Sequence, residues 1–306
     1  MAKPESASRA SLVAGYTMVA GAAASWGLWA LFLRRAEARG PIPPELESTV
    51  ALLALTLVSG ATMLRDRSPA KAPLRAWLGV VWLGVTDALN VVLFFRAIQL
   101  TTVAVAVLTH YLAPILVALG APLVLGEKVS RRTFVAVFVS LAGLVLLLDP
   151  FHVASASPKL ILGAASGAAS AFFYASSVLT NKRLAPVFSG SELAFYHGLV
   201  AVPLLACLVP TAAWRAVAPE AWPWLTAGAM GPGAVAGLVF VWGLRRVPAA
   251  HASALTLLEP LVAVLVGVLV FGEVPTPIGG VGALMVLAGA AIVVSSRKAG
   301  TAASSG

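Results

Sequence analysis

Ten apolar segments, each long enough to cross a hydrocarbon layer of about 30 Å, dominate the 306-residue chain. They read roughly as residues 11–33, 45–64, 74–96, 101–125, 130–148, 158–181, 191–211, 221–244, 249–271 and 275–295. Polar or helix-breaking groups separate them, among them Arg39-Gly40-Pro41, Arg65-Asp66-Arg67, Asp149-Pro150 and Arg245-Arg246. The runs are continuous in Ala, Val, Leu and Gly, whereas a membrane barrel needs segments of about ten residues that alternate in polarity. An all-α integral membrane fold of ten transmembrane helices follows. Charged residues make up 11% of the chain and mean hydropathy is +0.93. Soluble domains carry about 25% charged residues, so a soluble enzyme and a disordered chain are both excluded. The single cysteine, Cys207, rules out an internal disulfide.

The net charge of +9 does not form a nucleic-acid surface, because the basic residues sit in short clusters between apolar runs. Their distribution instead sets topology. Fifteen of the 21 Lys and Arg fall on the side of the amino terminus, and six (Arg34, Arg35, Arg39, Arg96, Lys159 and Arg215) fall opposite. Positive charge marks the cytoplasmic side, so both termini are expected there. The apolar run that follows Lys3 and Arg9 is longer than a signal-peptide core and reads as a retained first span.

The chain carries one pattern twice. Pro114 and Pro260 are each followed twelve positions later by Gly-Glu, at Gly126-Glu127 and Gly272-Glu273. The same offset of 146 places Gly21-Ala22-Ala23 on Gly167-Ala168-Ala169 and Ala142-Gly143 on Ala288-Gly289. Each half holds five helices, an odd number, so the second half must lie inverted relative to the first. Inverted repeats that meet at a central site are a transporter architecture, because exchanging the conformations of the halves gives alternating access. The expected units are a tail over 1–10, a repeat over 11–148, a connection over 149–157, a second repeat over 158–295 and a tail over 296–306.

The paired Pro-x11-Gly-Glu segments, with Tyr111-Leu112-Ala113-Pro114 and Leu258-Glu259-Pro260, resemble the drug/metabolite transporter superfamily and its EamA-type exporters. The likeness runs from about Ser11 to Ser295. A lesser likeness to YddG-like exporters of aromatic amino acids rests on Tyr111-Leu112-x-Pro114, Thr180-Asn181-Lys182 and the surroundings of Trp26. It implies that Trp26, Tyr111 and Phe173 line a central cavity. Ala113 stands where those exporters would have an aromatic residue, which implies a roomier pocket.

Ionisable groups are costly in hydrocarbon, at about 2.5–3.5 kcal/mol at a helix centre, and usually face a cavity. Asp87 and His110 fall at one depth on consecutive spans, Asn90 shares the face of Asp87, and Glu259 lies near the midplane. These four, with Trp26, Tyr111, Phe173 and Tyr174, form the expected substrate site. Asp87 and Glu259 are candidates for contact with an ammonium group or a proton, and His110 for a titrating partner of Asp87. His197 reads as a shallower, interfacial residue. Pro114, Pro260, Glu127 and Glu273 are expected to serve structure or gating. Gly231-Pro232-Gly233 marks a break in the eighth span.

No nucleotide-binding loop, nucleophile elbow or His-x3-His pair occurs, so no cofactor, metal or enzymatic activity is expected. A lipid-modifying enzyme would need a clustered acid–base set, and His197 with Glu192 does not supply one. The expectation is a secondary transporter of the bacterial inner membrane that exports amino acids or related small metabolites, with protons as a candidate coupling ion. Import of similar solutes and drug efflux are the alternatives; oligomeric state is not encoded in any feature above. A reporter active only in the cytoplasm should work when fused after Lys298 and fail within residues 151–158. The opposite pattern would invert the topology.

Overall fold

The computed structural model describes residues 9–68, 72–149, 158–273 and 276–302. The described residues are helical, with no strand among them. Nine helices are long and apolar enough to span a membrane: α1 (Ala10–Glu37), α2 (Pro44–Met63), α3 (Leu74–Leu100), α4 (Val103–Leu125), α5 (Arg131–Leu148), α6 (Pro158–Leu184), α8 (Pro219–Leu244), α9 (Ala249–Phe271) and α10 (Pro277–Ser295). The tenth, α7 (Gly190–Ala206), is a shorter apolar helix. The last helix continues past its apolar part to Ala302. Most of the expected connection over 149–157 and of the first tail lies outside the described residues.

Two inverted five-helix repeats build the bundle, and their register is visible in backbone detail. Helix α4 spans 103–125 and α9 spans 249–271, a displacement of 146 at both ends. Both end on a left-handed glycine, Gly126 at φ 68° and Gly272 at φ 69°, where any other residue would be strained. In each, the next N–H returns to a carbonyl six residues back: Glu127 to Ala121 and Glu273 to Gly267. The same local sequence thus makes the same helix stop twice.

Helices α5 and α10 pair across the pseudo-twofold axis. A Cβ on Gly143 would lie 2.7 Å from the Gly282 carbonyl oxygen, and one on Gly282 would lie 2.4 Å from the Gly143 carbonyl oxygen. The displaced pair repeats the contact, with Gly289 closing on the Ala136 carbonyl at 2.7 Å. Lipid tails are as apolar as the side chains, so close backbone packing rather than hydrophobic exclusion holds such a pair together. Elsewhere α3 packs on α6 and α7, α2 on α7 and α8, and α1 on α8 and α9.

Four spans are broken, α1 at Leu28 among them. Helix α4 divides at Tyr111-Leu112 and α9 at Thr256-Leu257, just before Pro114 and Pro260. A proline has no N–H to return to the preceding turn, so a break there follows from the sequence. Helix α8 passes through a π-helical turn at Ala229–Val235 around Pro232, where the Gly-Pro-Gly motif places its break. Gly143→Val should overpack the α5–α10 contact by about 1–3 kcal/mol and lower the melting temperature in detergent. Gly21→Ala, where a Cβ meets nothing within 4 Å, should leave it unchanged.

Candidate functional site

The breaks in α4 and α9 bring one residue from each half together. The Tyr111 hydroxyl lies beside the Glu259 carboxylate, and the Tyr174 hydroxyl on α6 beside Thr256. Freed from its α-helical turn, Thr256 takes the Glu259 N–H on its own carbonyl at 2.9 Å. No Lys, Arg or His nitrogen lies within 4 Å of the Glu259 carboxylate among the described residues. The first half therefore presents the Tyr111 hydroxyl to a carboxylate of the second, deep in the bundle.

His110 closes one side of this group. Its ring meets those of Phe94 at 4.8 Å, Tyr174 at 5.4 Å and Tyr111 at 5.6 Å. The Ser170 hydroxyl donates to Asn90 Oδ1 at 2.9 Å, so its oxygen must accept from His110 Nδ1–H at 2.8 Å. That chain fixes the imidazole tautomer and leaves Nε2 as an acceptor. The Trp26 ring lies 5.0 Å from that of Phe240 on α8 and packs against the same apolar cluster as Tyr174.

Three expectations are corrected. His110 does not pair with Asp87; its partner is Ser170, and through it Asn90. Asp87 instead faces His197 on α7, with Oδ2 3.3 Å from Nε2. His197 is not interfacial. It is 5% exposed, because glycines let α7 wedge between two neighbours. A Cβ on Gly84 of α3 would lie 2.7 Å from the His197 carbonyl, and one on Gly198 would strike the Thr56 hydroxyl of α2. Phe173 is not brought to the cluster either. Its ring meets Phe172 at 5.5 Å, and Phe172 is 57% exposed.

A second polar group, invisible to local sequence patterns, joins the helices at the face that carries the start of α1 (the near face). The Tyr16 hydroxyl lies 2.5 Å from His251 Nδ1, and Thr133 Oγ1 lies 3.0 Å from His251 Nε2. This links α1, α9 and α5. Beside it the Ala249 N–H donates to Glu127 Oε2 at 2.7 Å, while Lys182 Nζ donates to the carbonyls of Leu244 at 2.7 Å and Val247 at 2.6 Å. At the far face Arg34 pairs with Glu273 at 2.5 Å and covers the Phe271 ring at 4.8 Å. There too the Trp29 indole donates to Glu47, a buried carboxylate that the helix pattern did not single out. No group of three His, Cys, Asp or Glu suited to a metal occurs among the described residues.

This arrangement has known counterparts. The pattern of EamA-like transporters matches residues 13–149 and again residues 161–295, one match per half. The chain belongs to the EamA-like transporter family. An uncharacterized transporter of Archaeoglobus fulgidus is 34% identical over 221 residues, covering 72% of this chain and 76% of that protein. The uncharacterized transporter YwfM of Bacillus subtilis is 30% identical over 238 residues, covering 74% and 77%. The pseudopaline exporter CntI of Pseudomonas aeruginosa is 30% identical over 126 residues, covering 40% of this chain and 43% of that protein. A crystal structure at 21% identity shares the fold, with a TM-score of 0.77 over 93% of this chain and 98% of that one. As an EamA-like transporter the chain is a multi-pass membrane protein, set among lipids and acting on a small-molecule substrate.

Proposed function

We propose that this EamA-like protein exports amino acids or related small metabolites across the bacterial inner membrane by alternating access. The observation that carries this reading is the Tyr111–Glu259 contact, made where the broken helix of one half meets the broken helix of the other. A solute held there touches both halves and feels any change in their relation. A carboxylate without a cationic partner, aromatic rings and an imidazole acceptor suit a solute that carries an ammonium group. Trp26, Asn90, His110, Tyr111, Tyr174 and Glu259 are its proposed contacts. The excess of Lys and Arg at the near face supports a cytoplasmic position for it. The repeats 11–148 and 158–295 are the proposed moving units.

Unequal closure of the two faces supports alternating access. At the near face the first half of α9, Ala249–Leu255, packs against the second half of α4, Ala113–Leu125. The displaced contact, between Val103–His110 and Leu258–Phe271, has no comparable packing at the far face. Glu127 and Glu273 follow the same asymmetry. Glu127 spans the halves to hold the Ala249 N–H, with Pro114 setting the path of its helix. Glu273, at the matching position after Pro260, also reaches the other half, but through the Arg34 side chain rather than a backbone N–H of the facing broken helix. It leans over Gly267, where a Cβ would meet its Oε2 at 2.1 Å. The corresponding residue in the first half is Ala121, so Glu127 lacks that resting place. In the opposite state the two glutamates exchange roles.

Flux of a panel of amino acids into proteoliposomes tests the assignment. Tyr111→Phe and Glu259→Gln should each reduce it at least tenfold, and undiminished flux in both would remove the contact from the site. In a Cys207→Ser background, a cysteine at Ala252, fully buried at the near face, should react slowly with a water-soluble thiol reagent. Adding Glu127→Ala should accelerate that reaction several-fold.

A further inference from the structure

The Asp87–His197 pair carries a proton count that can be read from its hydrogen bonds. His197 Nδ1 lies 2.9 Å from the Leu193 carbonyl oxygen. A carbonyl can only accept, so Nδ1 must bear a hydrogen. In a neutral imidazole that leaves Nε2 with a bare lone pair. Nε2, however, faces Asp87 Oδ2 at 3.3 Å. A lone pair and a carboxylate oxygen at that distance repel, and inside the bundle no solvent layer screens them. One proton between the two atoms converts the repulsion into an ion pair or a hydrogen bond, whichever atom it resides on.

The surroundings supply no other way to satisfy the pair. Among the described residues, no Lys or Arg nitrogen lies within 4 Å of Asp87. From α6, Tyr174 is the titratable group that senses the Asp87 charge. From the α4 side His110 is tied to Ser170, and its hydrogen-bond chain ends on Asn90, one turn along α3 from Asp87. From α7, His197 is the group in contact. The acidic residues of α2, Glu45 and Glu47, sit in its first turn, whereas α2 meets α7 at Thr56. The geometry is also held rigidly, since the Gly84 contact with the His197 carbonyl fixes how close α3 and α7 lie. Access is one-sided: the Asp87 side chain is 23% exposed and that of His197 is 6% exposed.

We propose that Asp87 and His197 form a proton-binding site that holds one exchangeable proton in this conformation, entering and leaving through Asp87. The proposal rests on the transport reading only for its use. With the near face closed, the proton loads from the far face, and its release at the near face is exchanged for solute. This moves Asp87 from solute contact to ion coupling and leaves the ammonium contact to Glu259. Charge balance is simple: one proton binds the pair as it faces outward and one leaves it as it faces inward.

Protein labelled with 15N-histidine in lipid nanodiscs tests the site without any solute. At about pH 7 the His197 signal should show a protonated Nδ1 and an Nε2 that bears or shares a proton. Asp87→Asn preserves shape and lets the amide donate to Nε2, so that variant should bind one proton fewer per chain on titration between about pH 5 and 8. His197→Gln should lose the same proton by removing the other partner. A wild-type His197 with a bare Nε2 beside an ionised Asp87 carboxylate, read by infrared spectroscopy, would overturn the proposal. So would proton counts equal to wild type in both variants. In proteoliposomes, exchange of one proton per solute should give about tenfold accumulation per pH unit, lost in both variants. Wild-type accumulation that ignores the gradient would refute coupling through this pair. If the wild type moves no amino acid at all, the export reading fails, and the proton count still decides whether the site exists.

Discussion

A backbone amide in hydrocarbon has no water to turn to, so a spanning helix can break only where protein closes over the gap. Everything in the interior of this molecule is arranged around that constraint. Pro114 and Pro260 open α4 and α9 in the middle of the bundle, and Tyr111, Thr256 and Glu259 gather at those breaks. The site lies at the breaks because they are where polar chemistry is already sheltered. The same requirement explains why α5 and α10, which have no break, serve as a plain seam of glycines.

Much of this was legible in the residues themselves. The offset of 146 between two Pro-x11-Gly-Glu segments translates into two helix stops with φ values one degree apart. Gly231-Pro232-Gly233 announced the π-turn of α8. Those features are local: a short stretch of chain dictates the geometry it adopts. Pairings between distant helices left no such trace. Tyr16 and His251 are 235 positions apart, and neither stands out in an alanine- and valine-rich span. Depth counted along a single helix placed Asp87 beside His110, but depth gives no azimuth. The direction each side chain faces depends on which neighbours approach, and Gly84 and Gly198 decide that for α7. Glycine runs signal close packing without naming the partner.

The two halves also show how far a repeat can diverge while its fold persists. Helix stops and crossing contacts keep their register, whereas chemistry does not. His251 has Val105 as its counterpart and Lys182 has Ala36, so the near-face cluster has no image at the far face. Glu127 and Glu273 keep the same position but find different partners, one a backbone N–H with the Lys182 ammonium 3.9 Å away and the other a guanidinium.

Gly27 illustrates what this divergence entails. A Cβ there would lie 2.5 Å from the Glu259 carbonyl oxygen, so α1 and α9 touch backbone to backbone at the level of the site. In the other half the same position is Phe173, whose bulk forbids an equally close approach. Two structures related by exchange of the halves are therefore not mirror images in energy. A duplicated gene that has drifted this way encodes a rest position along with its mechanism, and selection can adjust that bias at residue 27 or residue 173 without touching the groups that meet the solute.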